Sequence, residues 1–247
     1  MQKKHHIKTG DIFITNENCQ VKVIQYVDRK NVLIEFQDKH KHQTYVQVGH
    51  LVRGAVRNPY KPSVCGIGFT GVGHYVPKVN GKRTQVYSVW HSMFSRCYNP
   101  SQFEKNPTYQ DCEVCEAWHN FQVFAEWYES QPFSNLDYEI EKDLLIEGNR
   151  VYSPTTCLLA PKAINSLFRG HKRIDENMPM GVYQKEHGFQ SLIRMNGILV
   201  NLGFFNNVQE ASNAYQKAKK QYVKQKALEW QDRIDKRLFD ALMAKAA

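Results

Sequence analysis

No stretch of this 247-residue sequence stays apolar for the roughly 20 residues that cross a bilayer. The opening, MQKKHHIKTGDIF, is basic but has no apolar core of the secretory type, so the expected location is the cytoplasm. Cysteine is scarce: Cys19, Cys65, Cys97, Cys112, Cys115 and Cys157 are too few and too scattered to staple a small secreted scaffold. Reduced thiols or metal ligands are the readings left. Histidine is missing from the whole interval between His119 and His171. The glycine-rich GIGFTGVG at 66–73 lacks the GxxxxGK[ST] spacing, and no helical pattern follows it directly. That weighs against a nucleotide-phosphate loop and for a turn-rich linker.

What is present is ordinary for a globular chain, with 42% hydrophobic and 23% charged residues. The net charge of +9 is unevenly spread: residues 1–80 carry +7, residues 81–168 carry −4, and residues 169–247 carry +6. Basic ends suit a polyanion, because Lys and Arg that neutralise phosphates release counterions. An acidic middle suits a divalent cation, which prefers oxygen ligands.

The reading along the chain is α+β and multi-domain. Residues 1–60 show four short strands rich in Val, Ile, Phe and Tyr at roughly ten-residue spacing, the pattern of a small β-barrel of adaptor type. His40 and His42 in DKHKH are metal ligands on one reading and a solvated hairpin tip on the other. Residues 61–84 form the Gly/Pro-rich linker. Residues 85–170 open with a helix whose Val86, Val89, Trp90, Met93 and Cys97 share one face. A second helix, CEAWHNFQVFAEWYES, has Trp118, Phe121, Val123, Phe124 and Trp127 on an aromatic face. Two short strands around the Gly148-Asn149 turn follow, with Glu139, Glu141, Lys142 and Asp143 at the end of the first, and then a short helix ending near Asn165.

Residues 178–225 give three strands and a helix capped by Asn206 or Asn207, with the Asn196-Gly197 pair as a hairpin signal. Alternation buries Val182, Ile193, Val200 and Leu202 against the helix. It turns Tyr183, Lys185, His187, Gln190, Leu192, Arg194, Leu199 and Asn201 outward. Residues 226–247 read as an extension of the same helix, with an apolar stripe of Leu228, Ile234, Leu238 and Leu242 around Trp230. Lys217, Lys219, Lys220, Lys224 and Lys226 are candidates for phosphate contacts, with a solvated helix face as the other reading.

Two resemblances follow from these motifs. Trp90-x-x-Met93-x-x-Arg96-Cys97-Tyr98, then Cys115-x-x-Trp118-x-x-Phe121-x-x-Phe124, then Tyr152-Ser153-Pro154-x-x-Cys157 and a helix Asn together resemble the HNH (ββα-metal) endonucleases common in bacteriophage genomes. The resemblance covers residues 86–168 and implies a Mg²⁺- or Mn²⁺-dependent phosphodiesterase. Its metal ligands would be Asp143 and Asn165, and its catalytic group would be Lys142, Asp143 and Asn165. The family's strand-end position, often histidine, falls at Lys142-Asp143 here. An active endonuclease and an inactive frame kept for binding, as in a viral accessory or inhibitor factor, therefore both stay open. Cys112-x-x-Cys115 has zinc-ligand spacing, and Cys97 with Cys157 would complete a structural zinc site; buried free thiols are the other reading.

The second resemblance lies in Gly181-Val182, Leu202-Gly203-x-Phe205 and Glu210-Ala211-x-x-Ala214-Tyr215. It is to the Apetala/ethylene-response-factor DNA-binding domain, also known in homing endonucleases. It implies that the sheet lies in the major groove of double-stranded DNA, with Tyr183, Lys185, Arg194 and Asn201 at the contact positions. The combined expectation is a sequence-directed DNA-binding protein of the homing-endonuclease kind, acting in the host cytoplasm if phage-encoded. A protein partner for the barrel or the C-terminal helix is a further expectation.

Overall fold

The alternating segments near the start of the chain become strands β1 (Ile12–Ile14), β2 (Gln20–Tyr26), β3 (Val32–Phe36) and β4 (Gln43–Val46) of one antiparallel meander. In β3 and the first half of β2 every second side chain is buried, namely Val32, Ile34 and Phe36 and Val21 and Val23. The computed structural model describes residues 6–104, 106–168 and 177–247. The chain divides into two compact units. One comprises Met1–Val76 with His119–Gln122, the other Pro77–Trp118 with Val123–Ala247.

In the first unit the expected barrel does not close: the strand order is β1-β2-β3-β4, and β1 and β4 do not pair. The reason lies in VGHLV, at the end of the fourth expected strand, QTYVQVGHLVRG. It folds instead as the short helix α1 (Val48–Val52), and Val48 and Leu51 pack into the core that the sheet buries. A helix covering the apolar face removes the need for closure. His40 and His42 are packing groups. His40 stacks on Tyr60 at 4.4 Å between ring centroids, and His42 meets Phe36 and the edge of Tyr60. The glycine-rich loop is held by an amide. Gln122 Nε2 donates to the Thr70 and Tyr75 carbonyls, and its Oε1 accepts from the Tyr75 N–H. A Cβ at Gly71 or Gly73 would lie 2.2 Å from the side-chain oxygen of Asn120 or Gln122. Those glycines admit protein amides, not a phosphate.

The second unit begins with a two-residue hairpin, β5 (Lys78–Val79) and β6 (Lys82–Arg83). Thr84 then caps α2 (Gln85–Tyr98), which buries Trp90, Met93, Phe94 and Cys97, and Trp90 Nε1 donates to the Trp118 carbonyl at 2.7 Å. Next come α3 (Pro100–Phe103), β7 (Glu113–Val114) and a 3-10 turn at Glu116–His119. Helix α4 (Phe121–Ser130) starts only after this turn, so the expected single helix is broken at Asn120. The break turns Val123 outward, contrary to expectation, and leaves Phe121, Phe124, Ala125 and Tyr128 as the buried positions.

The strand-turn-strand also differs from the sequence reading. β8 (Tyr138–Glu141) does not pair with the nearby β9 (Val151–Tyr152). It pairs antiparallel with β10 (Leu158–Pro161), while β9 runs parallel to β7. Helix α5 (Lys162–Asn165) follows β10 directly.

The C-terminal sheet comprises β11 (Val182–Lys185), β12 (Gly188–Met195) and β13 (Ile198–Phe205), in that order and antiparallel, with a bulge between Ser191 and Leu192. It packs on α6 (Val208–Trp230), whose Asn207 cap accepts from the Glu210 N–H at 2.9 Å. The helix does not run through to the end of the chain. It stops at Trp230, and α7 (Lys236–Ala246) starts afresh on an Asp235 cap. Ile234, Leu238 and Leu242 join one core with Leu144, Leu158, Ile164, Leu167, Tyr222 and Val223, whereas Leu228 is exposed. Several small sheets and helices thus make a mixed architecture without a closed barrel among the described residues. No helix there is long and apolar enough to cross a membrane.

Candidate functional site

Strand alternation builds the acidic centre. Tyr138 and Ile140 of β8 are buried, which puts Glu139 and Glu141 together on the opposite face. Helix α5 brings Asn165 onto that face, where its Nδ2 donates to Glu139 Oε2 at 2.8 Å. Past the strand end, the Asp143 N–H donates to Glu141 Oε1 at 2.6 Å. Burial, reinforced by the charge of Asp143, pushes the Glu141 carboxyl above its ordinary range.

Lys142 points the other way and is only 7% exposed. Its ammonium donates to Asp143 Oδ1 at 2.5 Å and to the Asn149 carbonyl at 2.6 Å. The Tyr109 and Tyr152 rings lie 5.9 Å away by centroid. Burial pulls its pKa down, but the hydrogen bond and charge of Asp143 outweigh burial, and the net direction is up. These two hydrogen bonds give Lys142 a structural role, as the tie between the strand end and the loop, beside the place in the catalytic group expected for it from sequence.

The αL turn position belongs to Gly148, not to Asn149. Asn149 instead donates through Nδ2 to the Lys142 and Val151 carbonyls, at 3.0 and 2.8 Å, and accepts the Val151 N–H at 3.2 Å. Sequence reading missed this bracing role, for which the Gly-Asn pair was the available signal. Asp143 remains 53% exposed at its side chain.

The oxygen chemistry of Glu139, Glu141, Asp143 and Asn165 suits a hard divalent cation. They share one side of β8 and its end, although among the described residues no three His, Cys, Asp or Glu side chains form a group that could hold a metal ion. The same holds for Cys97, Cys112, Cys115 and Cys157. Three are buried and Cys115 is partly so, and burial pushes all four thiols up, Cys97 and Cys157 to about 12.

The second candidate surface is the outer face of the C-terminal sheet. Cross-strand pairs set its rows: Tyr183 with Gln190 and Phe204, Leu192 with Asn201, and Arg194 with Leu199. On the inner face Val182, Ser191 and Ile193 are buried, and Ala211 and Ala218 of α6 are buried with them. Gly181 is needed here, because a Cβ on it would lie 2.0 Å from the Tyr215 ring. Lys185 and Arg194 are exposed, and Arg194 Nη1 donates to the Gly197 carbonyl at 2.7 Å. All four contact positions expected from sequence, Tyr183, Lys185, Arg194 and Asn201, belong to this sheet.

Among the five lysines of α6, Lys217, Lys220 and Lys224 are exposed. The other two, candidates for phosphate contacts on the sequence, are engaged within the unit. Lys219 donates to the Leu167 carbonyl, with burial lowering its pKa, and buried Lys226 pairs with Glu229 at 2.7 Å. No family profile, curated protein or solved structure matches the chain.

Proposed function

We propose that this chain is a sequence-directed DNA-binding protein and, on the resemblance of residues 86–168, a divalent-metal-dependent endonuclease of the HNH kind. The observation that carries DNA binding is the outer face of β11–β13. It is a twisted three-stranded surface of polar, aromatic and cationic side chains, backed by a helix and set in a stretch of net charge +6. A β-ribbon can enter the major groove, and strands of a sheet can present side chains to base edges there. Hydrolysis is supported by the oxygen donors on β8 and by Asn165, which α5 delivers beside Glu139. A bound Mg²⁺ or Mn²⁺ would supply Lewis acidity at the phosphodiester. Glu139, Glu141, Asp143 and Asn165 are the residues to hold it.

A second reading, DNA binding without hydrolysis, is favoured by the structural role of Lys142 and by acids that, among the described residues, form no group of three able to hold a metal ion. Supercoiled plasmid with Mg²⁺ or Mn²⁺ separates the two. Nicking by the wild-type chain, lost in Asp143→Ala and Asn165→Ala, supports the endonuclease. An intact plasmid that still shifts on a gel supports the binding protein. No shift and no cutting would sink both.

A further inference from the structure

The same sheet face allows the preferred target to be named, an inference that rests on the DNA-binding reading above. Its centre carries little charge. Gln190 lies between Tyr183 and Phe204, Leu192 faces Asn201, and Leu199 faces Arg194. The two aliphatic and one aromatic positions are costly to leave in water: Leu199 is 52% exposed and Phe204 56%, and Leu192 is partly exposed. Cations stand only toward the ends, Lys185 beside the β11–β12 turn and Arg194 beside the Asn196-Gly197 turn.

Base edges differ in what they ask of a protein. Guanine asks for a bidentate Arg or Lys on O6 and N7, adenine for an Asn or Gln amide on N6 and N7, and thymine for an apolar group against its C5-methyl. Here the face carries one guanidinium, that of Arg194 at its edge, which gives one of its five N–H groups to the Gly197 carbonyl at 2.7 Å. Gln190 offers both a donor and an acceptor, and Asn201 offers its Nδ2 donor while its Oδ1 accepts from the Gly203 N–H. We propose that this sheet selects A·T-rich duplex DNA, with Leu192 and Leu199 packed against thymine methyl groups and Gln190 and Asn201 on adenine edges.

The test is competition binding by the full chain, in EDTA and at one fixed salt concentration. The competitors are poly(dA-dT), poly(dG-dC) and poly(dA-dU) duplexes. The last has the same hydrogen-bonding edges as the first without the methyl groups. The expected order places poly(dA-dT) first, with poly(dA-dU) about fourfold weaker for each leucine that has no methyl group to cover. Leu199→Ala removes an exposed side chain, so the fold should persist by circular dichroism. Together with Leu192→Ala it should bind poly(dA-dT) and poly(dA-dU) equally. Equal wild-type affinity for those two polymers, or a preference for poly(dG-dC), overturns the proposal while DNA binding itself stands. A thymine-over-uracil difference that survives in the double variant overturns it too. Failure to bind any of the three duplexes overturns both this proposal and the DNA-binding reading.

Discussion

Lys142 shows how a single side chain can change its meaning between sequence and structure. In the run Glu139 to Asp143 the lysine falls, by resemblance, in a catalytic group, yet alternation after β8 sends it inward. There its two hydrogen bonds join the strand end to the loop at Asn149. Lys142→Met keeps most of the volume and removes both bonds. Because Asp143 is more than half exposed, water can resolvate its carboxylate, and the main loss is at the partly buried Asn149 carbonyl. The expected destabilisation is about 1–3 kcal/mol, read as a lower urea midpoint at unchanged slope. If DNA binding persists in this variant, Lys142 is a frame residue for the acidic centre and not part of the reading surface. Unchanged stability would remove the structural role assigned to it.

At the scale of elements, α6 fixes the sheet through one phenol. The Tyr222 hydroxyl accepts the Asn196 N–H at 2.8 Å and donates to Asn196 Oδ1 at 3.0 Å, pinning the β12–β13 turn. Tyr222→Phe should cost about 1–2 kcal/mol, since it strands a partly buried turn amide. It should also speed hydrogen exchange at Asn196 and Gly197 before any change appears in α6. The Asp235 cap of α7 gives a pH signature. Burial alone would raise this carboxyl, but hydrogen bonds from the Arg237 side chain and N–H outweigh it and hold it below 3.8. Its stabilising contribution is therefore complete well above pH 3.8 and is lost as pH falls through the depressed folded value. Asp235→Asn, which still caps, should remove that acid-side loss in a thermal melt series and leave α7 formed at neutral pH.

The local signals were legible in the sequence. Helix α2 followed its 3.6-residue period, and the Asn196-Gly197 turn and the Asn207 cap followed their residue types. What was not legible depends on distant partners. The choice of β10 over β9 as the neighbour of β8 is set by tertiary packing, and so is the covering of the first sheet by α1 in place of barrel closure. The break before Asp235 was hidden because an aspartate among lysines and arginines looks like any solvated helix position. Among the candidate site residues, the sheet positions were readable from period-two alternation. The inward turn of Lys142 was not, because it begins where the strand pattern ends.

At the scale of the molecule, the C-terminal sheet, for which DNA binding is proposed, and the acidic centre are not independent modules. Tyr222 and Val223 of α6 share one core with Leu158 of β10, Ile164 and Leu167 around α5, and Ile234, Leu238 and Leu242. Lys219 adds a polar tie from α6 to the Leu167 carbonyl, close to Asn165 in the chain. A 70-residue piece such as 178–247 would expose the half of that core which β10 and α5 cover. Small domains have little stability in reserve, with total unfolding free energies of about 5–15 kcal/mol. Each large core side chain left in water forfeits about 1.5–3 kcal/mol. The isolated segment should therefore lack a cooperative thermal transition, while Pro77–Ala247, with its core complete, should melt in one step. Circular dichroism melts of the two pieces decide this. A cooperative melt of 178–247 alone would make the sheet a free-standing reader, and coupling between DNA binding and the acidic strand would then have no physical basis.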